Sequence, residues 1–191
     1  ALALLAAAWF EYPARKLTMI GLTGTKGKTT TAHMIKKILE EDGKTVGMIG
    51  TIGAYIGDEK IPTKNTTPES YELHALFDQM LQKGCTHVVM EVSSHAISLD
   101  RVDSVRYDVA AFTNLTEDHL DFHVTMENYC DTKAELFARC DKAVFNRDDE
   151  WFARVSAKAG TDVLTTAVKG SGDLVARDLQ LRADGISFTA V

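Results

Sequence analysis

Gly24-Thr25-Lys26-Gly27-Lys28-Thr29-Thr30 packs two glycines, two lysines and three hydroxyls into seven residues. Glycines let the backbone curl until its N–H groups face a common anion, and phosphate is the anion such loops hold. A helix starting near Lys28 would add its positive end. The Lys28 ammonium is placed to reach the β- and γ-phosphates of a nucleotide, and the Thr29 hydroxyl to ligate Mg²⁺. All seven residues are therefore candidates for binding ATP. The common GxxxxGK[ST] spacing is not met, because Leu22 stands five residues before Gly27 and Gly21 six before. The loop is a variant of the GTxGKT kind. An incidental Gly-rich turn is the rival, and a strand before and a helix after argue against it.

Further groups fall at the ends of apolar runs. Glu91 follows Val88-Val89-Met90, and a hard cation such as Mg²⁺ prefers its oxygens; a satisfied strand-end carboxylate is the alternative. Asp118, His119, Asp121 and His123 lie within six residues. Zinc is discounted there, since no cysteine or third histidine is near in sequence. Asn65-Thr66-Thr67-Pro68-Glu69 opens a helical pattern, where hydroxyls and free N–H groups suit a carboxylate or pyrophosphate, or simply cap the helix. Arg101 suits a carboxylate through two parallel hydrogen bonds. On spacing alone, Lys133 is an ordinary exposed helix lysine.

The elements that must position these groups alternate. Strands are expected at 17–22, 45–49, 87–92, 109–113, 143–146 and 163–167, and helices at 29–42, 68–83, 126–139 and 149–158. Residues 174–181 and 186–191 read as a β-hairpin turning at Ala183-Asp184-Gly185. Strand–helix alternation gives an α/β fold with a mainly parallel sheet of the P-loop NTPase kind and an antiparallel hairpin near the C-terminus. Ligands bind at the carboxyl ends of such strands, where the informative segments all fall.

The sequence has 191 residues, enough for one large domain, and a net charge of −6 that argues against a nucleic-acid partner. Cys85, Cys130 and Cys140 form no CxxC pair, and free thiols fit a reducing cytoplasm. The apolar start, Ala1–Ala8, is too short to span a membrane and reads as the end of a helix from a longer chain. The strand ending at Val191 also reads as cut. Residues 1–16 are expected to be the tail of a preceding domain plus a linker, and 17–191 the ATP-binding domain.

GTxGKT resembles the phosphate loop of the Mur ligases and their relatives, the folylpolyglutamate synthetases. In that family the middle position is commonly Asn, and here it is Lys26, an extra cation for the phosphates or for a neighbouring acid. Asn65-Thr66-Thr67-Pro68-Glu69, Glu91-Val92-Ser93-Ser94-His95-Ala96 and the run Thr113–His123 are similar to the family's tripeptide synthetase branch. The resemblance implies an enzyme that phosphorylates the D-glutamyl carboxylate of UDP-N-acetylmuramoyl-L-alanyl-D-glutamate with ATP and joins a diamino acid to it. It implies Thr29, Glu91, His119 and Lys133 around Mg²⁺, the lysine as a carbamate, with Lys28, Glu91, His119 and Lys133 catalytic. It implies Asn65, Thr66, Thr67, Ser93 and Arg101 on the muramoyl substrate, and Asn146 near the nucleotide base. Where some members carry Gln two residues before the arginine, Leu99 stands here. A monomer without membrane insertion is expected. The family's C-terminal domain, which chooses the amino acid, is not represented. Another ligase of the superfamily and a non-catalytic nucleotide-binding module are the rival readings.

Overall fold

The computed structural model describes residues 1–160 and 162–191. Ten strands form one sheet in the order β10-β9-β8-β7-β6-β1-β5-β2-β3-β4. They are β1 (Thr18–Thr23), β2 (Val46–Gly50), β3 (Gly53–Ile56), β4 (Glu59–Ile61), β5 (His87–Glu91), β6 (Tyr107–Phe112), β7 (Cys140–Asn146), β8 (Asp162–Ala167), β9 (Leu174–Arg182) and β10 (Gly185–Ala190). From β2 to β9 through the centre all pairings are parallel; β2–β3, β3–β4 and β9–β10 are antiparallel.

The inner stretches of the central strands, Met19–Leu22, Val88–Met90 and Val109–Phe112, are apolar because both their faces are covered. Along β5, Val88 and Met90 face the large core, while Val89 faces a smaller cluster with Leu22, Val46 and Met48. Helix α2 (Lys28–Glu41) covers that second face through Ala32, Ile35 and Leu39. Met34 and Ile38, which share the helical spacing, point to solvent instead. On the other face lie α3 (Ser70–Gln82) and, further along the sheet, α6 (Met126–Ala134), whose Tyr129, Cys130 and Ala134 join the large core. Helix α1 (Leu2–Trp9) packs on α3 through Ala3, Ala6 and Ala7.

The mixed sheet and the C-terminal hairpin agree with the sequence-based expectation. The helix expected over 126–139 tightens into a 3₁₀ turn at Glu135–Arg139. The one expected over 149–158 is a short helix, α7 (Phe152–Val155), followed by another 3₁₀ turn. Strands β3 and β4 were not foreseen. Their signal is Gly57-Asp58, a two-residue turn suited to a tight hairpin, between runs only four and three residues long.

The order explains where ligands go. β1 lies between β5 and β6; the chain leaves β1 toward β2 on one side and later crosses to β6 on the other. A crevice opens at such a switch point, at the carboxyl ends of the strands. The loops after β1, β5 and β6 converge there.

Candidate functional site

The phosphate loop follows β1 and enters α2 at Gly27, which is left-handed at φ 84°. Gly24 has φ +139°, and a Cβ there would lie 2.0 Å from Thr113 Oγ1, so the loop crosses its neighbour closer than any side chain allows. That neighbour clamps it. The Lys26 N–H donates to Asn114 Oδ1 (2.9 Å), and Asn114 Nδ2 and Thr113 Oγ1 donate to the Lys26 carbonyl (3.0 and 2.8 Å). The Thr25 N–H donates to the Asn114 carbonyl (2.8 Å). Thr113 and Asn114 are therefore site residues that the sequence argument quoted without giving them a task. Their signal is a polar pair at the carboxyl end of the strand beside β1.

Three lysines gather on this loop. Lys28 Nζ donates to the carbonyls of Gly24 (2.9 Å) and Thr25 (3.1 Å), and burial first, against the pull of Glu91 and Asp118, lowers its pKa. Lys133, on α6, is only 2% exposed and donates to the same Gly24 carbonyl (3.0 Å). Its ammonium lies 4.5 Å from the centre of the Tyr129 ring. Burial, and then the nearby Lys28 charge, bring its pKa down to about 7. The exposed helix lysine that spacing alone favoured is thus overturned. Lys26 is exposed, with its Nζ 3.5 Å from Asp118 Oδ2. It pairs with an acid in this state.

Glu91, at the end of β5, is 1% exposed and held by three donors. Thr29 Oγ1 (2.8 Å) and the Thr51 N–H (3.0 Å) reach Oε1, and Thr51 Oγ1 (3.2 Å) reaches Oε2. Gly50 makes this contact possible, because a Cβ there would sit 2.2 Å from Oε1. His119, left-handed at φ 53° and half exposed, stacks edge-on against His95 at 4.9 Å. His123 is buried with Nε2 2.8 Å from Ser94 Oγ, a packing role. Burial, and next the neighbouring histidines and cationic groups, lower the pKa of both His95 and His123. Among the described residues no group of three or more His, Cys, Asp or Glu could hold a metal. The donors fit Mg²⁺ all the same. It takes hard oxygens, uses one or two protein groups and fills its other positions with phosphate oxygens and water, as Thr29 and Glu91 beside a phosphate loop would allow.

The segment before α3 meets the same crevice. Thr66 Oγ1 lies 3.1 Å from Thr51 Oγ1. Thr67 is fully buried; its hydroxyl donates to the Glu91 carbonyl (2.9 Å) and accepts from the Ser93 N–H (3.0 Å). Neither hydroxyl caps α3, whose N-cap is Glu69 without a side-chain bond. Ser93 caps α4 (Ser94–Ser98) through the Ala96 N–H (3.2 Å). Arg101 pairs with Glu69 (2.6 Å) and donates to the Thr67 carbonyl (3.2 Å), while its buried Nε lacks a partner. Asn65, next to Thr66 in the chain, is exposed.

Asn146, at the end of β7, donates to the Thr113 carbonyl (3.0 Å) and accepts from the Asp148 N–H (3.1 Å). It borders a cavity of about 470 Å³ lined among others by Thr31, Phe112, Val168 and Phe188. Named contacts join Gly24, Thr25, Lys26, Lys28, Thr29, Thr67, Glu91, Ser93, Arg101, Lys133 and Asn146; Thr66 is tied in through Thr51, Asn65 adjoins Thr66, His119 stands on His95, and Thr30 lies in the first turn of α2 with no side-chain bond among the described residues.

Residues 22–191 match the Mur ligase middle domain family. A UDP-N-acetylmuramoyl-L-alanyl-D-glutamate–2,6-diaminopimelate ligase of Caldanaerobacter subterraneus is 46% identical over 189 residues, 98% of this chain and 39% of that protein. The ligase of the same name from Corynebacterium glutamicum is 50% identical over 179 residues, 91% and 34% of the two chains. A solved structure of a ligase with that name superposes with a TM-score of 0.88 at 27% identity, covering 97% of this chain and 40% of that one. A folylpolyglutamate synthase of Mycobacterium tuberculosis shares the fold, with a TM-score of 0.78 at 16% identity over 98% of this chain and half of its own. The chain spans about two fifths of the length of the curated relatives it matches.

Proposed function

Since this chain belongs to the Mur ligase family and carries its middle domain, we propose that it is the ATP-binding part of an enzyme that joins 2,6-diaminopimelate to UDP-N-acetylmuramoyl-L-alanyl-D-glutamate. The observation that carries this reading is the convergence of Lys28 and Lys133 on the Gly24 carbonyl beside the Thr29–Glu91 pair. The Lys28 ammonium, which donates only to backbone carbonyls, is prepared for a phosphate anion, and the Lys133 amine is buried beside it on the same carbonyl. The γ-phosphoryl group of ATP passes to the D-glutamyl carboxylate, giving an acyl phosphate and ADP. The amine of the diamino acid then attacks the acyl carbon; an amide forms, and phosphate and a proton leave.

Lys28 holds the charge on the moving phosphoryl group. Thr113 and Asn114 keep the loop open by clamping its backbone. Thr29, Glu91 and His119 are the groups that would hold Mg²⁺, which when bound neutralises crowded phosphate oxygens. Lys133 completes that set as a carbamate. Its neutral amine adds to carbon dioxide, forming an N–C bond and releasing one proton, and a buried cation becomes an anionic oxygen donor. The pKa of about 7 supports this, because the reactive free amine is then available near neutrality. The apolar cavity beside Asn146 suits the adenine base, and Thr66, Ser93 and Arg101 line the acceptor side. Little covalent chemistry is asked of the protein, so positioning supplies much of the remaining rate. No helix among the described residues is long and apolar enough to cross a membrane. The proposed enzyme works as a monomer in the cytoplasm.

The test is phosphate release and product mass with full-length enzyme and a panel of muramoyl peptides and amino acids. ATP turnover and amide formation are expected with the muramoyl dipeptide and 2,6-diaminopimelate. The 191-residue chain alone should bind Mg-ATP weakly and form no amide, because it spans only about two fifths of the length over which its relatives bring all substrates into line. Amide formation by the isolated chain, or turnover restricted to folate or other muramoyl peptides, overturns the assignment.

A further inference from the structure

We infer that Thr51 is a positioning residue that couples the nucleotide end of the site to the acceptor end. The inference rests on the function proposed above and adds a residue to which no role was given. Thr51 follows β2 and stands between Glu91 and Thr66. Its N–H and its hydroxyl both bond the Glu91 carboxylate, at 3.0 Å to Oε1 and 3.2 Å to Oε2. Its oxygen also lies 3.1 Å from Thr66 Oγ1.

The direction of these bonds follows from counting protons. A hydroxyl has one proton and a carboxylate only accepts. Thr51 must give its proton to Glu91, so Thr66 must give its own to Thr51. On the far side, Thr29 donates to Glu91 Oε1 at 2.8 Å. The result is a continuous chain, Thr66 to Thr51 to Glu91 and from Thr29 to Glu91, running from the segment before α3 to the first turn of α2. Gly50, which has no Cβ, lets the end of β2 lie directly against the Glu91 carboxylate, where any larger residue would displace it. Thr66 therefore faces the acceptor with its proton already committed and its lone pairs free, ready for an O–H or N–H of the substrate rather than for a bare carboxylate.

Coupling follows from the shared carboxylate. A nucleotide that engages Thr29 fixes Glu91, and Glu91 fixes Thr51 and the Thr66 hydroxyl. An acceptor substrate that engages Thr66 fixes the same unit from the other end. Either ligand then lowers the ordering cost of the other, and the effect must be equal in both directions.

The experiment is a binding cycle by calorimetry on the full-length enzyme. A non-hydrolysable ATP analogue is titrated with and without the muramoyl dipeptide, and the reverse, for wild type, Thr51→Val and Thr51→Ser. Wild type should show the two ligands tightening each other by about fivefold or more, within the usual range for coupled sites. Thr51→Val, which keeps the backbone N–H but loses the hydroxyl, should bring the factor below twofold while each ligand still binds. Thr51→Ser should restore it. Thr51→Ala, which also keeps the backbone N–H and loses the hydroxyl, serves if Thr51→Val does not fold. Undiminished coupling in the variants without the hydroxyl, or no coupling in wild type that binds both ligands, overturns the inference. A wild-type enzyme that binds neither ligand instead overturns the proposed function.

Discussion

The two ends of the site differ in what their polar groups already hold. On the phosphate side, Lys28 and Lys133 share one carbonyl oxygen, and neither has a carboxylate within ion-pair distance among the described residues. On the acceptor side nearly every group is engaged: Thr67 is buried between Glu91 and Ser93, Ser93 caps α4, and Arg101 is paired with Glu69. The first region keeps the charge of Lys28 and the amine of Lys133 in reserve, so their energy appears when phosphate and carbon dioxide arrive. The second commits its polar groups to shape, with Asn65 exposed and Thr66 half-buried beside it. Substitutions on the phosphate side should therefore strike turnover, and those on the acceptor side chiefly affinity.

The largest effect should come from Lys28→Ala. Removing the charge from the γ-phosphoryl group is expected to lower kcat of the full-length enzyme by about a thousandfold, ~4 kcal/mol in the transition state. Near-normal phosphate release would erase the contrast between the two ends.

Lys133 comes next, with two readouts. Lys133→Ala should lose nearly all ligase activity, and carbon-13 NMR with labelled bicarbonate should show a carbamate signal in wild type only. A plain ammonium in the fully liganded enzyme removes the carbamate. The second readout is stability. The Lys133 amine has a folded pKa of about 7, below its ordinary 10.5. Between those values the unfolded chain binds the extra proton, so this group makes stability rise with pH across the window. Urea midpoints at pH 7 and pH 9 in bicarbonate-free buffer should show that rise in wild type. It should shrink in Lys133→Met, which should be the more stable of the two at pH 7. An unchanged slope would mean the amine is not held as described.

Arg101→Ala probes the other end. Its charged hydrogen bonds are worth about 1.5–3 kcal/mol, so KM for the muramoyl dipeptide should rise at least tenfold with kcat little changed. A loss confined to kcat would place Arg101 on the reacting atoms and break the division.

The smallest effect is expected at Val124, the joint between α5 (Leu120–His123) and α6. Val124 has φ 70° and is 74% exposed, and the Thr125 N–H bonds the His123 carbonyl across it. A β-branched residue is strained in such a γ-turn. Val124→Gly should stabilise the domain by about 1 kcal/mol, raising the thermal midpoint by roughly 2–4 °C. A lowered midpoint would show that the turn carries no strain.

How much of this was readable beforehand depends on the range of the forces involved. Gly24 to Thr30, the continuous apolar runs of β1 and β5, and the hairpin turning at Ala183-Asp184 are local patterns, and each stands where the pattern put it. The phosphate loop and the α/β class follow from backbone freedom, periodicity and turn chemistry, which act over a few residues. What needed the tertiary structure joins residues far apart in the chain. Lys133 looks like a surface helix residue until α6 packs against the loop after β1 and strips water from its amine. Asn114 looks like a turn residue until β6 pairs beside β1 and brings it to the backbone of Lys26. Thr51 carries no motif at all; only the parallel pairing of β2 with β5 sets it against Glu91. Local sequence determines which groups can bind phosphate. The order of strands in the sheet decides which groups are buried beside them, and burial decides their charge.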